Sequence, residues 1–489
     1  MEIPKEVISI IKKLKKNKFE AYVVGGCVRD SLAQIKEPND WDVTTNAKPE
    51  EIQKIFPNSF YENNFLTVTV QTKSKDSRLQ EIEITTYRSE TGYEDKRHPK
   101  EVKPVKTLKE DLARRDFTVN AMAIDIEDKN DFKIIDFFNG QEDLKNKIIR
   151  TVGNPDERFS EDVLRIMRAV RFTTTLKGNW KIEEETSKAI KKHAESLKLI
   201  SQERIRDEFV KIIMSEDAAE GIELLRKLNI LKQIIPEIEE GYKVAQNKHH
   251  IYDCYEHCVK SLEYAAKKNF NKHVRISALL HDVGKPRTKE GEGEDATFYN
   301  HEIVGANMTF KILNRLKFSK KDVKKIAKLV RYHLFYYNPE EVGESSIRRL
   351  VRSVGPENMD ELIELRMADR IGSGVPKAEP YKLRHLRYLV EKVSQDPLST
   401  NMLKINGNEI IKILKIQAGP IIGHILNILL GYILEDPKKN KKEFFEKEIK
   451  KLGKLKEKEL IDLSKKAIQK RMEVEMKRDK MTKKKYWVT

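Results

Sequence analysis

The chain is poor in cysteine, and this scarcity limits the kinds of protein that it can be. Among 489 residues there are three cysteines: Cys27, Cys254 and Cys258. A small and odd number argues against a disulfide framework and predicts a reducing, cytoplasmic location. Cys254 and Cys258 are four residues apart, so a zinc pair is one interpretation, but no second cysteine pair completes such a site. We favour buried thiols.

Long apolar runs are also missing. No hydrophobic stretch reaches the length that crosses a bilayer, and residues 1–18 lack the apolar core of a signal peptide. With 39% hydrophobic and 35% charged residues, the chain is expected to be soluble, globular and without a membrane partner. Its length predicts roughly two to four domains. No internal repeat is evident, and nothing indicates an obligate protein partner.

Positive charge, in contrast, is abundant and unevenly distributed. The formal net charge is +17, and residues 438–489 carry +11 of it, from 20 Lys and Arg against 9 Asp and Glu. Such a segment suits a polyanion, either a nucleic acid or an anionic membrane. The alternative is a solvated helix in a chain that is rich in lysine throughout.

Strand-like and helix-like patterns divide the chain. Segments rich in β-branched and aromatic residues predict strands at 22–24, 65–72, 81–87, 117–125 and 133–137, with a short helix at 49–56. Helical patterns take over from about residue 155. The first of these helices is expected to be capped by Ser160 and to bury Val163, Ile166, Met167 and Val170. The predicted fold class is α+β, a small head with a short mixed sheet followed by an all-α body.

Two glycines and two aspartates near the N-terminus predict a phosphate and metal site. Gly25 and Gly26 end an apolar run and let backbone N–H groups approach a phosphate, to which Arg29 can bind in a bidentate manner. Asp40 and Asp42 alternate along a predicted strand, so both carboxylates face one side and can share a divalent metal. Each pair alone is common in turns. Their order along the chain is more specific, and it indicates nucleotidyl transfer.

A site with two metal ions needs a third carboxylate. Glu83 is our candidate, because the predicted strand at 81–87 can bring it beside Asp40 and Asp42. Glu81 shares a face of that strand with Glu83 and is the second choice. Two magnesium ions held there would activate an attacking 3′-hydroxyl and stabilise the leaving pyrophosphate.

Asp162 and Arg165 predict selection of a base. On one helix they are neighbours, on a face away from the apolar stripe. A carboxylate accepts and a guanidinium donates, which matches the amino donor and ring-nitrogen acceptor of cytosine and adenine. Uracil and guanine would leave buried polar groups unpaired. Taken alone, the pattern also fits an exposed, salt-bridged helix.

Several motifs in the same order resemble the family of class II tRNA nucleotidyltransferases and bacterial poly(A) polymerases. The segments that carry the resemblance are Gly25–Asp30, Asp40–Asp42, Thr86–Glu90 with Arg97–Pro99, Asp111–Met122 and Arg158–Phe172. The resemblance implies that Asp162 and Arg165 form a protein template for CTP and ATP. It also implies that Arg115, Arg168 and Arg171 meet the triphosphate.

A second resemblance lies in the middle of the chain. The potential ligands follow one another as His257, His281 with Asp282, His301, His333 and Asp369. Imidazole and carboxylate groups suit Mn, Fe, Ni, Zn or Mg, with positions left open for water. Residues 240–375 thereby resemble the HD superfamily of metal-dependent phosphohydrolases. The resemblance implies a second divalent metal and hydrolysis of phosphomonoesters or 2′,3′-cyclic phosphates, or else a structural remnant of an ancestral hydrolase.

The C-terminal part resembles the region of the nucleotidyltransferase family that binds tRNA. Gly419 and Pro420 open a predicted helix whose apolar face consists of Ile422, Ile425, Leu426 and Leu429. The resemblance implies that this region grips the elbow of tRNA. The lysine-rich residues 438–489 would add phosphate contacts.

The resemblance implies an enzyme that adds C, C and A to the 3′ end of tRNA from CTP and ATP. The domains expected are a head at 1–145, a helical neck at 146–235, an HD domain at 236–380 and a tRNA-binding body and tail at 381–489. Within the class, an A-adding enzyme or a poly(A) polymerase is the alternative. The loop between Arg88 and Val102 argues, by resemblance, against an enzyme that adds only C. An HD phosphohydrolase with a merely nucleotide-binding head and a non-catalytic RNA-binding protein are disfavoured by Asp40, Asp42, Asp162 and Arg165.

Overall fold

A computed structural model describes residues 3–33, 38, 40–62, 66–93, 99–128, 131–246, 251–394 and 400–488. The chain separates into two compact units. The first consists of Met1–Leu334 and Glu364–Ala378, and the second of Phe335–Ile363 and Glu379–Thr489. Within the described ranges, no helix combines the length and the apolar character that crossing a bilayer requires.

The head of the first unit is a mixed sheet with helices. Its elements are α1 (Lys5–Lys16), β1 (Ala21–Val24), α2 (Gly26–Ala33), β2 (Asp42–Thr45), α3 (Pro49–Ile55), β3 (Ser59–Glu62), β4 (Thr67–Gln71), β5 (Glu81–Thr86), β6 (Arg88–Tyr93), β7 (Pro99–Pro104), α4 (Leu108–Ala113), β8 (Met122–Asp128), β9 (Asp131–Asp136) and α5 (Gly140–Asn146). Seven strands form one sheet in the order β3-β4-β5-β2-β1-β8-β9. β2 and β5 are parallel and the other neighbours are antiparallel. β6 and β7 pair separately.

The two faces of this sheet have different roles. On one face Val43 and Ile84 lie in a core that also contains Ile11 of α1 and Ile52 of α3. Successive residues of a strand point to opposite faces. Asp42, which neighbours Val43, therefore belongs to the other face, where a smaller cluster includes Tyr87 and Leu112 and the site described below is built.

A series of helices follows the head in the first unit. The elements are β10 (Ile148–Ile149), α6 (Pro155–Glu161), α7 (Arg165–Thr175), β11 (Lys181–Ile182), α8 (Glu184–His193), α9 (Gln202–Ile213), α10 (Ala218–Lys227), α11 (Leu231–Ile234), α12 (Pro236–Glu239), α13 (Cys254–Lys267), α14 (Lys272–Leu280), α15 (Lys285–Thr288), α16 (His301–Arg315) and α17 (Lys320–Tyr332). One continuous apolar core, which includes Met167, Phe209 and Leu279, runs through these helices.

The second unit is helical. It contains α18 (Glu344–Val354), the beginning of α19 (Met359–Gly372), α20 (Tyr381–Ser394), α21 (Gly407–Leu414), α22 (Pro420–Glu435), α23 (Lys442–Leu452) and α24 (Glu457–Lys485). The predicted helix start at Gly419 and Pro420 is confirmed, with Gly419 as its N-cap. Ile425 and Leu429 are fully buried in a core with Phe445 and Ile449, and Ile422 and Leu426 pack against it.

The predicted α+β class is confirmed, and three local predictions need correction. Residues 117–121 are not strand, because Thr118–Asn120 form a 3-10 turn and β8 begins at Met122. Asp40 precedes β2, which begins at Asp42. Ser160 lies inside α6, whose N-cap is Asn154, and the helix predicted to continue from there is interrupted between α6 and α7.

Candidate functional site

The turn between β1 and α2 brings a glycine, a carboxylate and a guanidinium together. Gly25 has φ +86°, a conformation that glycine adopts without strain. A Cβ atom at Gly25 would lie 3.1 Å from Nη1 of Arg115 and 3.2 Å from Oδ2 of Asp42. A side chain there would therefore fill the space beside two charged groups. The predicted association of Gly25 and Asp42 has a geometric basis, and Arg115 joins them.

Asp42 lies in a setting that suits a metal ligand. Burial raises the pKa of its carboxyl, Arg115 acts in the opposite direction, and Asp40 raises it further. A bound cation would relieve both the burial and the repulsion from Asp40. In the parallel pairing of β2 with β5, Asp42 lies directly opposite Glu83, whereas Glu81 pairs with Gln71 of β4. The register thus favours Glu83 over Glu81 as the neighbour of Asp42.

Asp40, Asp42 and Glu83 are not closely clustered. Among the residues that the structure describes, the groups of ligand atoms within 4.8 Å of one another all lie elsewhere, around Asp282. Asp40 is exposed, in the segment before β2. The three carboxylates therefore share a region of the sheet without forming a closed site.

Arg29 is buried and held by the protein itself. Its Nε and Nη2 atoms donate to Oδ1 of Asp30 at 2.8 and 2.6 Å, and Nη1 donates to Oδ1 of Asn120 at 2.5 Å. Gly26 is nearby, since a Cβ there would be 3.6 Å from Nη2. These bonds use three of the five guanidinium N–H groups, so two donors remain for a phosphate.

Asp116 connects the head to α7. Its Oδ2 accepts from Nε and Nη2 of Arg168 at 2.8 and 2.5 Å, and its Oδ1 accepts from Nδ2 of Asn120 at 3.0 Å. Burial alone would raise the pKa of Asp116, but Arg168 and Asn120 outweigh burial and hold it well below its usual range. Because Asn120 also binds Arg29, a hydrogen-bonded chain joins Arg29 and Arg168, two of the four arginines predicted to bind phosphate.

Asp162 does not lie on a helix with Arg165, contrary to the prediction. It ends α6 with an extended backbone (φ −132°, ψ 103°). Its Oδ1 accepts from the backbone N–H of Leu164 at 3.0 Å and its Oδ2 accepts from Nη2 of Arg204, on α9, at 2.9 Å. An aspartate that binds backbone N–H groups two residues on favours a turn over a helix interior. The chain therefore breaks at Asp162.

Arg165 begins α7 and is tied to the head. Its Nη1 donates to Oε2 of Glu161 at 2.8 Å and to the carbonyl of Arg158 at 3.3 Å, and its Nη2 donates to the carbonyl of Arg114 at 3.1 Å. Arg114 directly precedes Arg115, so the element predicted to select the base adjoins the residue beside Gly25 and Asp42. Two of the five N–H groups of Arg165 remain for a ligand.

Arg171 has a carboxylate partner too. Its Nε lies 3.1 Å from Oε2 of Glu208, on α9, and burial lowers the pKa of Arg171. Like Arg29 and Arg168, it is thus oriented by an acidic residue.

The sequence did not predict the residues that hold these predicted site residues in place, which are Asp116, Asn120, Glu161, Arg204 and Glu208. The first three lie within the motifs used above, whereas nothing local marks the two residues of α9.

The loop predicted between Arg88 and Val102 is only partly described. Thr86 ends β5, Arg88–Glu90 lie in β6, and Val102 of β7 pairs with Glu90 of β6. Arg97 and His98 lie outside the described residues.

The six predicted metal ligands of the middle region come together. His257 lies on α13, His281 caps the C-terminus of α14 and Asp282 follows it. His301 begins α16 and His333 ends α17. Asp369, on α19, completes the set, and all six are buried.

Asp282 is the centre of this cluster. Its Oδ2 lies 3.1 Å from Nε2 of His257 and 3.4 Å from Nε2 of His281, and its Oδ1 lies 3.4 Å from Nε2 of both His301 and His333. Asp369 lies beside the histidines near Oδ2 of Asp282, with its Oδ1 3.4 Å from Nε2 of His257.

The donor set of the cluster fits a divalent metal. Nε2 of His257 and Nε2 of His281 are 2.8 Å apart, so two potential acceptors converge on one point. Oδ1 of Asp282 and Nε2 of His301 are buried and make no hydrogen bond with the described residues. A cation would satisfy these atoms. The second nitrogens of His281, His301 and His333 bond to backbone carbonyls, an arrangement that orients metal-ligating imidazoles.

The cysteines beside this cluster are buried and free. Burial raises the pKa of Cys254 to about 12 and raises that of Cys258 well above its usual value. Zinc binds thiolate, which such surroundings disfavour. The buried-thiol interpretation is therefore the better one.

Comparisons with known protein families match three regions of the chain. Residues 21–150 match the poly A polymerase head domain, residues 179–241 match the probable RNA and SrmB-binding site of polymerase A, and residues 254–372 match the HD domain. Nucleotidyltransferase and HD domains generally use divalent metals.

A CCA-adding enzyme from Enterococcus faecalis is 31% identical to the chain over 446 residues, which cover 90% of this chain and 94% of that protein. The chain belongs to the CCA-adding enzyme family. A CCA-adding enzyme from Lactobacillus helveticus is 50% identical over 208 residues, which cover 42% of this chain and 49% of that protein, so this match spans about half of the relative's own length.

Two further similarities bear on the family. An A-adding tRNA nucleotidyltransferase from Deinococcus radiodurans is 34% identical over 336 residues, which cover 66% of this chain and 74% of that protein. The crystal structure of the Bacillus stearothermophilus CCA-adding enzyme in complex with CTP is similar with a TM-score of 0.58 and 26% identity. That similarity covers 91% of this chain and 96% of the other.

Proposed function

We propose that this chain adds C, C and A in turn to the 3′ end of tRNA, from CTP and ATP and without a nucleic-acid template. One observation carries the proposal: Gly25, Asp42 and Arg115 converge, and Arg165 is hydrogen-bonded to the residue next to Arg115. In each step the 3′ oxygen of tRNA bonds to the α-phosphorus, the bridging bond to the β-phosphate breaks, and pyrophosphate leaves.

Asp42, with Asp40 and Glu83, would hold magnesium. When bound, the metal would lower the pKa of the attacking hydroxyl and neutralise charge on the pyrophosphate. The free N–H donors of Arg29, together with Arg115, bind the triphosphate. Because Asp30 and Asn120 already orient the guanidinium of Arg29, little conformational entropy is lost when it meets a phosphate.

Asp162 and Arg165 select the base by hydrogen bonding. Asp162 uses part of its acceptor capacity on Leu164 and Arg204, and its remaining lone pairs accept from the amino group of cytosine or adenine. The remaining N–H groups of Arg165 donate to the ring nitrogen. With UTP or GTP, carbonyl would face carboxylate and N–H would face N–H, so those bases are rejected.

The second unit contributes the RNA contacts in this proposal. α24 (Glu457–Lys485) and the residues before it carry most of the excess positive charge, which suits binding of the tRNA backbone. The affinity for tRNA is then expected to fall steeply with salt concentration.

The decisive assay follows nucleotide addition to tRNA that lacks its 3′ end, with Mg²⁺ and labelled CTP and ATP, and sequences the products. Wild type is expected to yield tRNA ending in CCA. Asp42→Ala should lower the rate at least about 1,000-fold. Glu83→Ala should do the same while Glu81→Ala, on the same strand, stays near wild type. Absence of any addition, or an active Asp42→Ala variant, would refute the proposal.

An A-adding enzyme is the second candidate, favoured by the 34% identity to the Deinococcus radiodurans protein. The same assay separates the two, because an A-adding enzyme extends only tRNA that already ends in CC. A poly(A) polymerase would continue past the first A.

For the HD domain we propose a metal-dependent phosphohydrolase site for phosphomonoesters or 2′,3′-cyclic phosphates. His257, His281, Asp282, His301, His333 and Asp369 would hold the metal. The proposal is supported by the convergence of their donor atoms around Asp282. When bound, the metal would polarise the phosphate and activate water.

Two measurements test the HD proposal. Titration calorimetry with Mn²⁺ should detect binding that His281→Ala loses. His273→Ala is the matched control, because this histidine, on the same α14, instead contacts Asp322, 2.7 Å away. Hydrolysis of 2′,3′-cyclic AMP should follow the same pattern. Hydrolysis that survives in His281→Ala would refute the assignment, and metal binding without hydrolysis would support the remnant interpretation.

A further inference from the structure

Phe172 of α7 lies at the meeting point of three arginines. The guanidinium carbons of Arg29, Arg168 and Arg171 are 5.1, 5.6 and 4.3 Å from the centroid of its ring. Such distances fall within the range of cation–π attraction, in which the negative face of an aromatic ring attracts a cation. One ring therefore contacts a guanidinium from the β1–α2 region of the head and two from its own helix.

The ring is held firmly in place. Phe172 is 6% exposed and belongs to the main core of the first unit. Its ring meets that of Phe117, which follows Asp116, edge to face with centroids 5.7 Å apart. Phe172 thus lies between the helical core and the group of three arginines.

The three guanidiniums would otherwise repel one another. Each has one carboxylate partner, Asp30, Asp116 and Glu208 respectively. Those partners lie on different elements, and the hydrogen-bonded chain through Asp116 and Asn120 links Arg168 with Arg29 but does not include Arg171. Phe172 is the group that all three share, and its ring offsets part of the repulsion while leaving their outward N–H groups available.

We infer that Phe172 is a positioning residue of the nucleotide site, whose ring holds Arg29, Arg168 and Arg171 in the arrangement that receives the triphosphate. This inference rests on the proposed function, in which these arginines contact phosphate. Phe172 itself touches no substrate. A weaker ring face would let the guanidiniums spread apart, so the affinity for CTP and ATP would fall before the chemical step is affected.

The experiment changes the electron density of the ring at nearly constant shape. Phenylalanine analogues with one, two and three ring fluorines are incorporated at residue 172, because fluorine withdraws electron density from the ring face. The Kd for ATP is measured by titration calorimetry, and KM and kcat by CMP and AMP addition to tRNA. We expect Kd and KM to rise with each fluorine, to about tenfold for three, with kcat and the unfolding temperature nearly unchanged.

A substitution completes the series. Phe172→Leu, which keeps an apolar side chain but removes the ring face, should weaken ATP binding at least tenfold. The matched control is the fluorinated series at Phe445, a fully buried phenylalanine of the second unit whose ring contacts Phe444. Among the described residues, no cation faces the ring of Phe445.

The outcomes separate the inference from the function on which it rests. A Kd for ATP that does not change with fluorination overturns the inference, as does a Kd that changes only together with the unfolding temperature. Failure of wild type to bind ATP overturns it as well. The remaining outcome is that wild type binds ATP, the Kd rises with each fluorine as expected, and wild type adds no nucleotide to tRNA. That outcome would refute the proposed function and leave the role of Phe172 supported.

Discussion

Replacing Asp116 by asparagine removes the charge that anchors α7 to the head. The carboxylate of Asp116 is 8% exposed and binds Arg168 through two hydrogen bonds, while Asn120 and the backbone N–H of Phe117 donate to its other oxygen. Asparagine has nearly the same shape but offers one acceptor oxygen and an NH₂ group. At least one of these donors then faces another donor.

The expected loss of stability follows from the burial of the pair. Removing one partner of a fully buried ion pair costs about 3–5 kcal/mol. The side chain of Arg168 is 35% exposed, so water compensates part of its charge and the estimate must be reduced. We expect Asp116→Asn to lower the free energy of unfolding by about 2 kcal/mol at pH 7.

The effect depends on pH with a defined sign. The folded pKa of Asp116 is well below its usual value, so the folded state binds this proton less readily than the unfolded chain, whose aspartate pKa is about 3.9. The contribution of Asp116 to stability is fully present above about pH 5. It is lost as the pH falls through about 4 towards the folded pKa. The difference between wild type and Asp116→Asn should therefore shrink in acid.

Urea unfolding followed by tryptophan fluorescence measures this difference. Trp41 and Trp180 are buried in the first unit, and Trp487 in the second is 77% exposed, so the signal reports mainly on the unit that contains Asp116. The matched control is Asp207→Asn, which removes an exposed aspartate 2.8 Å from Arg206 and should change stability by less than about 0.5 kcal/mol. If Asp116→Asn changes the free energy of unfolding by less than about 0.5 kcal/mol at pH 7, the proposed anchoring role of Asp116 is wrong. It is also wrong if the difference in this free energy between wild type and the variant stays constant down to about pH 3.5.

Three further predictions concern close packing and base selection. Gly140→Ala should lower the free energy of unfolding by about 1–3 kcal/mol in the same urea assay, because the added Cβ would collide with the carbonyl of Thr118. The comparison variant Gly423→Ala, whose added Cβ would have nothing within 4 Å, should be neutral or stabilising; because Gly423 lies in the second unit, its unfolding is followed by circular dichroism. Gly372→Ala should weaken Mn²⁺ binding in calorimetry. The added Cβ would collide with Ser261 and the carbonyl of His257 and so displace α13, which carries His257. An unchanged affinity for Mn²⁺ would contradict this prediction. Arg204→Ala should release Asp162 and raise incorporation of UTP relative to CTP by about tenfold, whereas a constant ratio would show that Arg204 does not position Asp162.

Local patterns predicted much of the head and its chemistry. The alternation of residues 81–87 and the glycines at 25 and 26 depend on backbone conformation and side-chain period, which neighbouring residues largely specify. The same local patterns did not predict the helix break at Asp162. Its sequence has helical periodicity, but the Asp162 carboxylate accepts from the backbone N–H of Leu164, which favours a turn, and it also binds Arg204, forty-two residues later.

The sequence did not predict which distant residues pair with the site residues. Arg168 and Arg171 were predicted as phosphate ligands, yet Arg168 is hydrogen-bonded to Asp116, and Nε of Arg171 lies 3.1 Å from Oε2 of Glu208. Which acid pairs with which arginine depends on how α7, α9 and the head pack, and no local pattern encodes that packing. Thr44 illustrates the same point, because its hydroxyl meets Asp111 of α4 at 3.2 Å.

The sequence by itself determined which chemical groups are present, in what order, and on which kind of element. It thereby predicted the α+β class, the six potential metal ligands of the cluster that contains Asp282, and the resemblance to a nucleotidyltransferase family. Only the tertiary structure decided which groups meet: Asp42 with Arg115, Asp162 with Arg204, and three guanidiniums on Phe172. The physical reason is that side-chain type and backbone period are local properties, whereas burial, pairing of charges and ring contacts arise only when distant segments pack.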